Sequence, residues 1–218
     1  MGKKILTIVG MGPGISNSVA EKFAKEGFAI TMIARNEQRL KEYKSTFDKQ
    51  GIDSFYVAAD AGEEKSLITA FKNIHTNFGD TGVLLYNVFS FREGKPMDLK
   101  YEDVIIDFKV NVAGALLSAQ QVLPAMLNKK EGTLLFTGGG LAIEPFPIYA
   151  SLAIGKAGIR NFTHSLYADL KPKNIHAATV IVTGFVKPDT KFAPELIADE
   201  FWKLYLQKPG QFQREIIV

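Results

Sequence analysis

Apolar residues fall into short continuous runs, ILTIV, AITMIA, VLLYNV and ATVIV among them, separated by longer stretches with helical spacing. The runs predict strands over 4–10, 28–34, 54–59, 82–88, 133–137, 176–183 and 215–218. The periodic stretches predict helices over 15–27, 37–50, 63–78, 101–127, 149–171 and 194–207. A strand buried on both faces has no polar side to alternate with, so unbroken apolar runs fit a sheet covered twice. Strict alternation of strand and helix therefore predicts an α/β fold: a doubly wound parallel sheet of Rossmann type, about seven strands, helices on both faces.

The ends of these segments carry their own signals. Asn36 precedes a first turn containing Glu37, Asp60 stands before an acidic helix start, and Gly27, Gly51 and Gly79 fall where helices should stop. Pro124 predicts a kink or an early end in the fourth helix. No repeat, low-complexity tract or flexible linker interrupts the pattern, so residues 1–218 are expected to form one domain.

Composition narrows the chemistry. The 26 Lys and Arg against 23 Asp and Glu leave a net charge of only +3, with no basic cluster longer than a pair, which argues against nucleic acid as a partner. The absence of cysteine removes disulfides, thiolate metal sites and thiol nucleophiles, and His75, His164 and His176 lack metal-ligand spacing, so no metal is expected. No run of 18 apolar residues suggests a membrane span. Lys3-Lys4 before an apolar run imitates a secretion signal, but Gly12-Pro13-Gly14 breaks the run and fits a strand-loop-helix unit better. A cytoplasmic protein is the expectation.

The first strand runs into Gly10-Met11-Gly12-Pro13-Gly14-Ile15-Ser16 and then a helix. In that order, a side-chain-free turn lets backbone N–H groups and the positive helix end face a pyrophosphate. Here the chain resembles the short-chain dehydrogenase/reductase family, over nearly its whole length. Against the family's TGxxxGxG loop, Val9 replaces Thr, Gly10 and Gly14 match, and Ser16 replaces the last Gly; Ser16 is read as a helix cap or a phosphate contact. At the end of the second strand, Ala34-Arg35-Asn36 has a guanidinium and no carboxylate, which favours the 2′-phosphate of NADP(H) over NAD(H). Asp60 resembles the family's adenine-contacting Asp, with a helix N-cap as the other reading. Of the family's Asn-Asn-Ala-Gly, only Asn87 remains in Tyr86-Asn87-Val88-Phe89.

The resemblance implies a catalytic set of Asn, Ser, Tyr and Lys. Asn111 and Lys156 match; Leu152 stands where the Tyr belongs and Gly139 where the Ser belongs. Tyr149, seven residues before Lys156, shares a helix face with it if the helix has begun at Pro147. This Tyr-x6-Lys spacing is similar to that of the enoyl-thioester reductase branch. Thr137 has a hydroxyl two residues before Gly139. Thr183-Gly184-Phe185-Val186 resembles the family's Pro-Gly-Phe segment, so Gly184 and Thr190 are expected beside the cofactor, within a short substrate-side segment over 184–212. Phe89, Phe91, Phe146, Phe185 and Phe192 line a pocket or belong to the core.

Tyr149, Lys156 and Asn111 are thus the catalytic candidates, and Gly10, Gly12, Gly14, Ile15, Ser16, Arg35, Asp60, Asn87, Lys156, Gly184 and Thr190 the cofactor-binding ones. The expected activity is NADP(H)-dependent hydride transfer to a small carbonyl or activated alkene. The alternative is a non-catalytic NADP(H)-binding protein or redox sensor that has lost the Ser and Tyr. The resemblance also implies a homodimer or homotetramer, paired through helices 101–127 and 149–171, where Ala153, Ile154, Ala157 and Ile159 serve either that contact or the sheet.

Overall fold

The structure is a computed structural model that describes residues 2–218. Its elements follow one another as β1 (Ile5–Val9), α1 (Ile15–Lys25), β2 (Ala29–Ala34), α2 (Glu37–Lys49), β3 (Ser54–Ala58), α3 (Glu64–Asn77) and β4 (Val83–Tyr86). Then come α4 (Tyr101–Phe108), α5 (Gly114–Lys129), β5 (Gly132–Gly139), α6 (Ala150–Leu170), β6 (Ile175–Val182), α7 (Pro194–Tyr205) and β7 (Glu215–Ile217). The strands form one parallel sheet in the order β3-β2-β1-β4-β5-β6-β7. This is the doubly wound α/β architecture that the alternating pattern predicts.

Alternation along each strand divides the core into two halves. Ile8, Met32, Leu85 and Val180 pack on one face with Phe23 of α1, Phe47 of α2 and Phe201 of α7. Val9, Ile33, Leu84 and Phe136 pack on the other with Phe71 of α3, Ala119 of α5 and Ile159 of α6. Fully burying a side chain of this size contributes about 1.5–3 kcal/mol, so both helical layers are fixed by their inner faces.

Sequence pattern and structure differ in informative places. The sequence pattern ends the fifth strand at Thr137, yet β5 runs on and pairs with β6 through Gly139, opposite Val182. A side chain at Gly138 would overlap Ile181 and Thr179, so the glycines allow the two strands to stay close. Pro124 does not end α5, which continues to Lys129. Between α4 and α5 the helix widens into a π-turn over Lys109–Ala113, where the buried Tyr86 hydroxyl donates to the Val110 carbonyl. By length and composition, Tyr101–Lys129 suffices to cross a bilayer. Its inner residues Ala115, Ala119, Val122 and Met126 are instead buried against the sheet.

The chain leaves β1 toward β2 and β3, then returns to set β4 on the other side of β1. The reversal opens a crevice beyond the carboxyl ends of β1 and β4, the place where open α/β sheets bind ligands.

Candidate functional site

At the mouth of that crevice, Gly10 has φ +93° and its N–H donates to the Ile33 carbonyl at 2.8 Å. A Cβ there would overlap the Asn87 carbonyl, so β1 and β4 meet in a way only glycine permits. Gly12 and Gly14 are the opposite case: an added Cβ would have nothing within 4 Å at either. The first helical bond of α1 runs from Ser18 N–H to the Gly14 carbonyl, and no side chain caps the helix. The backbone N–H groups of Ile15 and Ser16 therefore open the positive end of α1 toward free space, a cradle that fits a pyrophosphate.

Ser16 is not a cap. Its hydroxyl donates to the Gly10 carbonyl at 2.7 Å and accepts from Asn87 Nδ2 at 2.7 Å, tying the loop to the end of β4. Arg35 is exposed just beyond β2, and among the described residues neither it nor Arg39 has an acidic partner. Asp60 sits after β3, where its Oδ1 accepts from the Gly62 N–H at 2.8 Å. Glu63, not Asp60, occupies the N-cap position of α3.

The other end of the crevice lies over β5. Lys156 Nζ donates to the Thr137 carbonyl at 2.9 Å, and its stem would be in ordinary contact, 3.4–3.5 Å, with a Cβ at Gly139. Burial of the amine without a compensating carboxylate pushes its pKa down to about 8. Thr137 Oγ1 is buried and has no hydrogen-bond partner. Asn111 lies in the π-turn, where its amide accepts from the Ser90 N–H at 2.8 Å and donates to the Ser90 carbonyl at 2.7 Å. It presses on α6 at Gly155, where a Cβ would meet Asn111 Nδ2 at 2.6 Å.

Tyr149 departs from the helical reading. The helix starts at Ala150, and Tyr149 has φ −111° and ψ 31°, so the face-sharing expected from a start at Pro147 does not apply. Its position is set instead by the β4–α4 loop. Gly94 bridges to Tyr149, Gly94 N–H donates to the Ile148 carbonyl at 2.9 Å, and the Tyr149 ring meets Phe91 edge-on at 5.9 Å.

A buried polar cluster beneath this contact is not apparent in the sequence. Asp107 is 1% exposed and accepts from Ser90 Oγ at 2.7 Å, Arg92 Nη1 at 2.9 Å and the Ser151 hydroxyl. It joins the loop carrying Phe89 and Phe91 to the start of α6. A helical acid four residues before Asn111 was the available signal, since that spacing places both on one face.

The segment after β6 closes on itself. Thr190 Oγ1 donates to the Lys187 carbonyl at 2.8 Å and accepts from the Phe192 N–H at 3.1 Å, so its hydroxyl is engaged within the loop. Phe192 covers Gly184, where a Cβ would overlap the ring, and packs against the core. Phe185, by contrast, is 87% exposed.

This geometry agrees with comparisons to known proteins. The short chain dehydrogenase profile matches residues 4–200. The chain belongs to the short-chain dehydrogenase/reductase family. A short chain dehydrogenase of Pseudocercospora fijiensis is 30% identical over 171 residues, covering 77% of this chain and 55% of that protein, so the chain spans about half its length. A short-chain dehydrogenase structure from Rhodopseudomonas palustris superposes with a TM-score of 0.89 at 22% identity, covering 100% of this chain and 99% of that one. A metagenomic short-chain oxidoreductase in complex with NADP gives a TM-score of 0.90 at 20% identity, over 99% and 96% of the two chains. Within the short-chain dehydrogenases/reductases, the chain is unusual around Lys156. Gly139 and Leu152 leave Lys156 there without the hydroxyls that ordinarily accompany it.

Proposed function

We propose that the chain binds NADP(H) in preference to NAD(H) and transfers hydride to a small carbonyl compound or an activated alkene. The observation that carries this reading is the uncapped α1 N-terminus beside Gly12 and Gly14, open where a dinucleotide's phosphates need room. Gly10, Ile15 and Ser16 form the phosphate cradle, Asn87 braces it through Ser16, and Asp60 faces the adenosine end. The unpaired guanidinium of Arg35 favours a 2′-phosphate, in keeping with the NADP in the metagenomic relative.

When bound, a reduced nicotinamide supplies hydride. Lys156 holds its ribose and keeps a cation beside the developing oxyanion, Asn111 fixes the β4–α4 loop against α6, and Tyr149 orients the acceptor. Gly184 lets the Phe192 ring lie directly on the backbone after β6, shaping the nicotinamide side of the site, and Thr190 acts through the shape of its loop rather than by direct contact. Residues 1–218 work as one dinucleotide-binding unit, with 184–212 as its substrate-side segment. Tyr101, Ile105, Phe108, Leu116 and Ile154 are exposed on α4, α5 and α6, the face for a homodimer or homotetramer, whereas Ala153 and Ile159 are buried within the subunit. A cytoplasmic setting completes the proposal.

The test follows NADPH absorbance with a panel of carbonyl and enone acceptors, using wild type and Tyr149→Ala. NADPH consumption with at least one acceptor, slowed at least tenfold by loss of the orienting ring, is the expected result. Tight NADPH binding without turnover on any acceptor would overturn the catalytic reading in favour of a non-catalytic NADP(H)-binding protein.

A further inference from the structure

Resting on the NADP(H) reading above, we infer that the acceptor is a planar quinone, taken flat against the aromatic wall formed by Phe89, Phe91 and Tyr149. Two independent features of the site lead there. One is the wall itself. Phe89 and Phe91 stack with centroids 6.2 Å apart and planes 28° apart, and Tyr149 closes the row edge-on. Phe89 remains 59% exposed, so a large aromatic face is left uncovered, and a planar ring is the ligand shape that covers it best. The wall is joined to the reacting end through Ser90, which binds Asn111, which in turn packs on Gly155 beside Lys156.

The second feature is the missing proton donor. Hydride transfer to an aliphatic ketone leaves an alkoxide, a base comparable with hydroxide. Such a product requires a general acid at the moment of transfer, and such an acid typically contributes a factor of about 10²–10⁴ in rate. Gly139 and Leu152 have no group to offer at those two places. A quinone receiving two electrons and a proton as hydride from the nicotinamide becomes a hydroquinone monoanion. Its oxygen is phenolic, with a pKa near the tyrosine value of about 10. Water then supplies the one further proton that completes the hydroquinone, while the nucleotide leaves oxidised. The Lys156 cation, held at the Thr137 carbonyl, suffices to balance the phenolate charge. A site with no hydroxyl at Gly139 or Leu152, and walled with rings, fits an acceptor that needs stacking more than it needs an acid.

The experiment uses the full chain with NADPH and compares 1,4-naphthoquinone with cyclohexanone, after subtraction of the uncatalysed rates. A kcat/KM at least about 100-fold higher for the quinone is expected, matching the contribution of a general acid. Gly139→Ser with Leu152→Tyr, which returns both hydroxyls, is expected to raise cyclohexanone reduction at least tenfold. A second readout does not depend on turnover. Calorimetric binding of redox-inert 1-naphthol to the NADP-saturated protein is expected to weaken at least tenfold in Phe91→Leu, which keeps an apolar side chain. Equal rates on the two acceptors, NADPH binding without quinone reduction, or 1-naphthol binding that ignores Phe91→Leu would each overturn the inference while leaving cofactor binding intact. Failure of NADPH itself to bind would overturn the reading beneath it as well.

Discussion

Glycines near the site divide into those the backbone requires and those where a Cβ would fit. Gly10 combines φ +93° with direct contact to the Asn87 carbonyl, so Gly10→Ala carries both conformational strain and overlap. A loss of about 3 kcal/mol in urea unfolding is expected. Gly139→Ala places its Cβ at 3.4 Å from the Lys156 stem, an ordinary contact, and should stay within about 1 kcal/mol of wild type. Equal losses in the two variants would show that the contact geometry is wrong. The places of the glycine loop, Arg35, Asn111 and Lys156 in the fold were legible in the sequence because each has a fixed position relative to a strand or helix end. The Asp107 cluster was not legible, since Ser90, Arg92 and Ser151 meet it only after the fold brings α4 against α6. Ser16 likewise finds Asn87 across 71 residues of sequence.

Among the elements, β7 is the shortest strand, three residues at the sheet edge, and a charged clamp holds it. Arg160 of α6 donates to Glu215 from Nε at 2.8 Å and from Nη2 at 2.9 Å, while His164 Nε2 lies 2.9 Å from the same carboxylate. Hydrogen bonding to the guanidinium is the main cause that brings the Glu215 pKa from 4.5 down to about 2. The folded protein therefore holds this carboxylate's proton less tightly than the unfolded chain. The stabilisation is complete above the unfolded value, and it is lost as pH falls from about 5 to about 2. Glu215→Gln is expected to cost about 1.5 kcal/mol at pH 7 and to flatten the decline in melting temperature over that acid range. An unchanged acid decline would exclude the clamp as its source. The existence and order of the elements were readable from apolar runs, since both sheet faces are covered. Their ends were less so: β5 extends through glycines that sequence reads as loop, and Tyr149 serves as the N-cap of α6, its N–H turned to the Phe146 carbonyl, while the β4–α4 loop takes the Ile148 carbonyl.

For the molecule as a whole, the parallel sheet places the open α1 N-terminus, Arg35 and Lys156 all at the carboxyl-end side of the strands. The α1 N-terminus is thus open at one end, while Gly139 and Leu152 stand near Lys156 at the other, where the family resemblance implies hydroxyls. Calorimetric titration of NADPH and NADH into the full chain, Gly12→Val and Arg35→Ala tests this most directly. NADPH should bind wild type at least tenfold more tightly than NADH, and Arg35→Ala should erase that preference. Because a Cβ at Gly12 would meet no protein atom within 4 Å, Gly12→Val should keep its melting temperature yet lose most of its affinity. No binding of either nucleotide at millimolar concentration, or binding indifferent to Gly12→Val, would contradict the account.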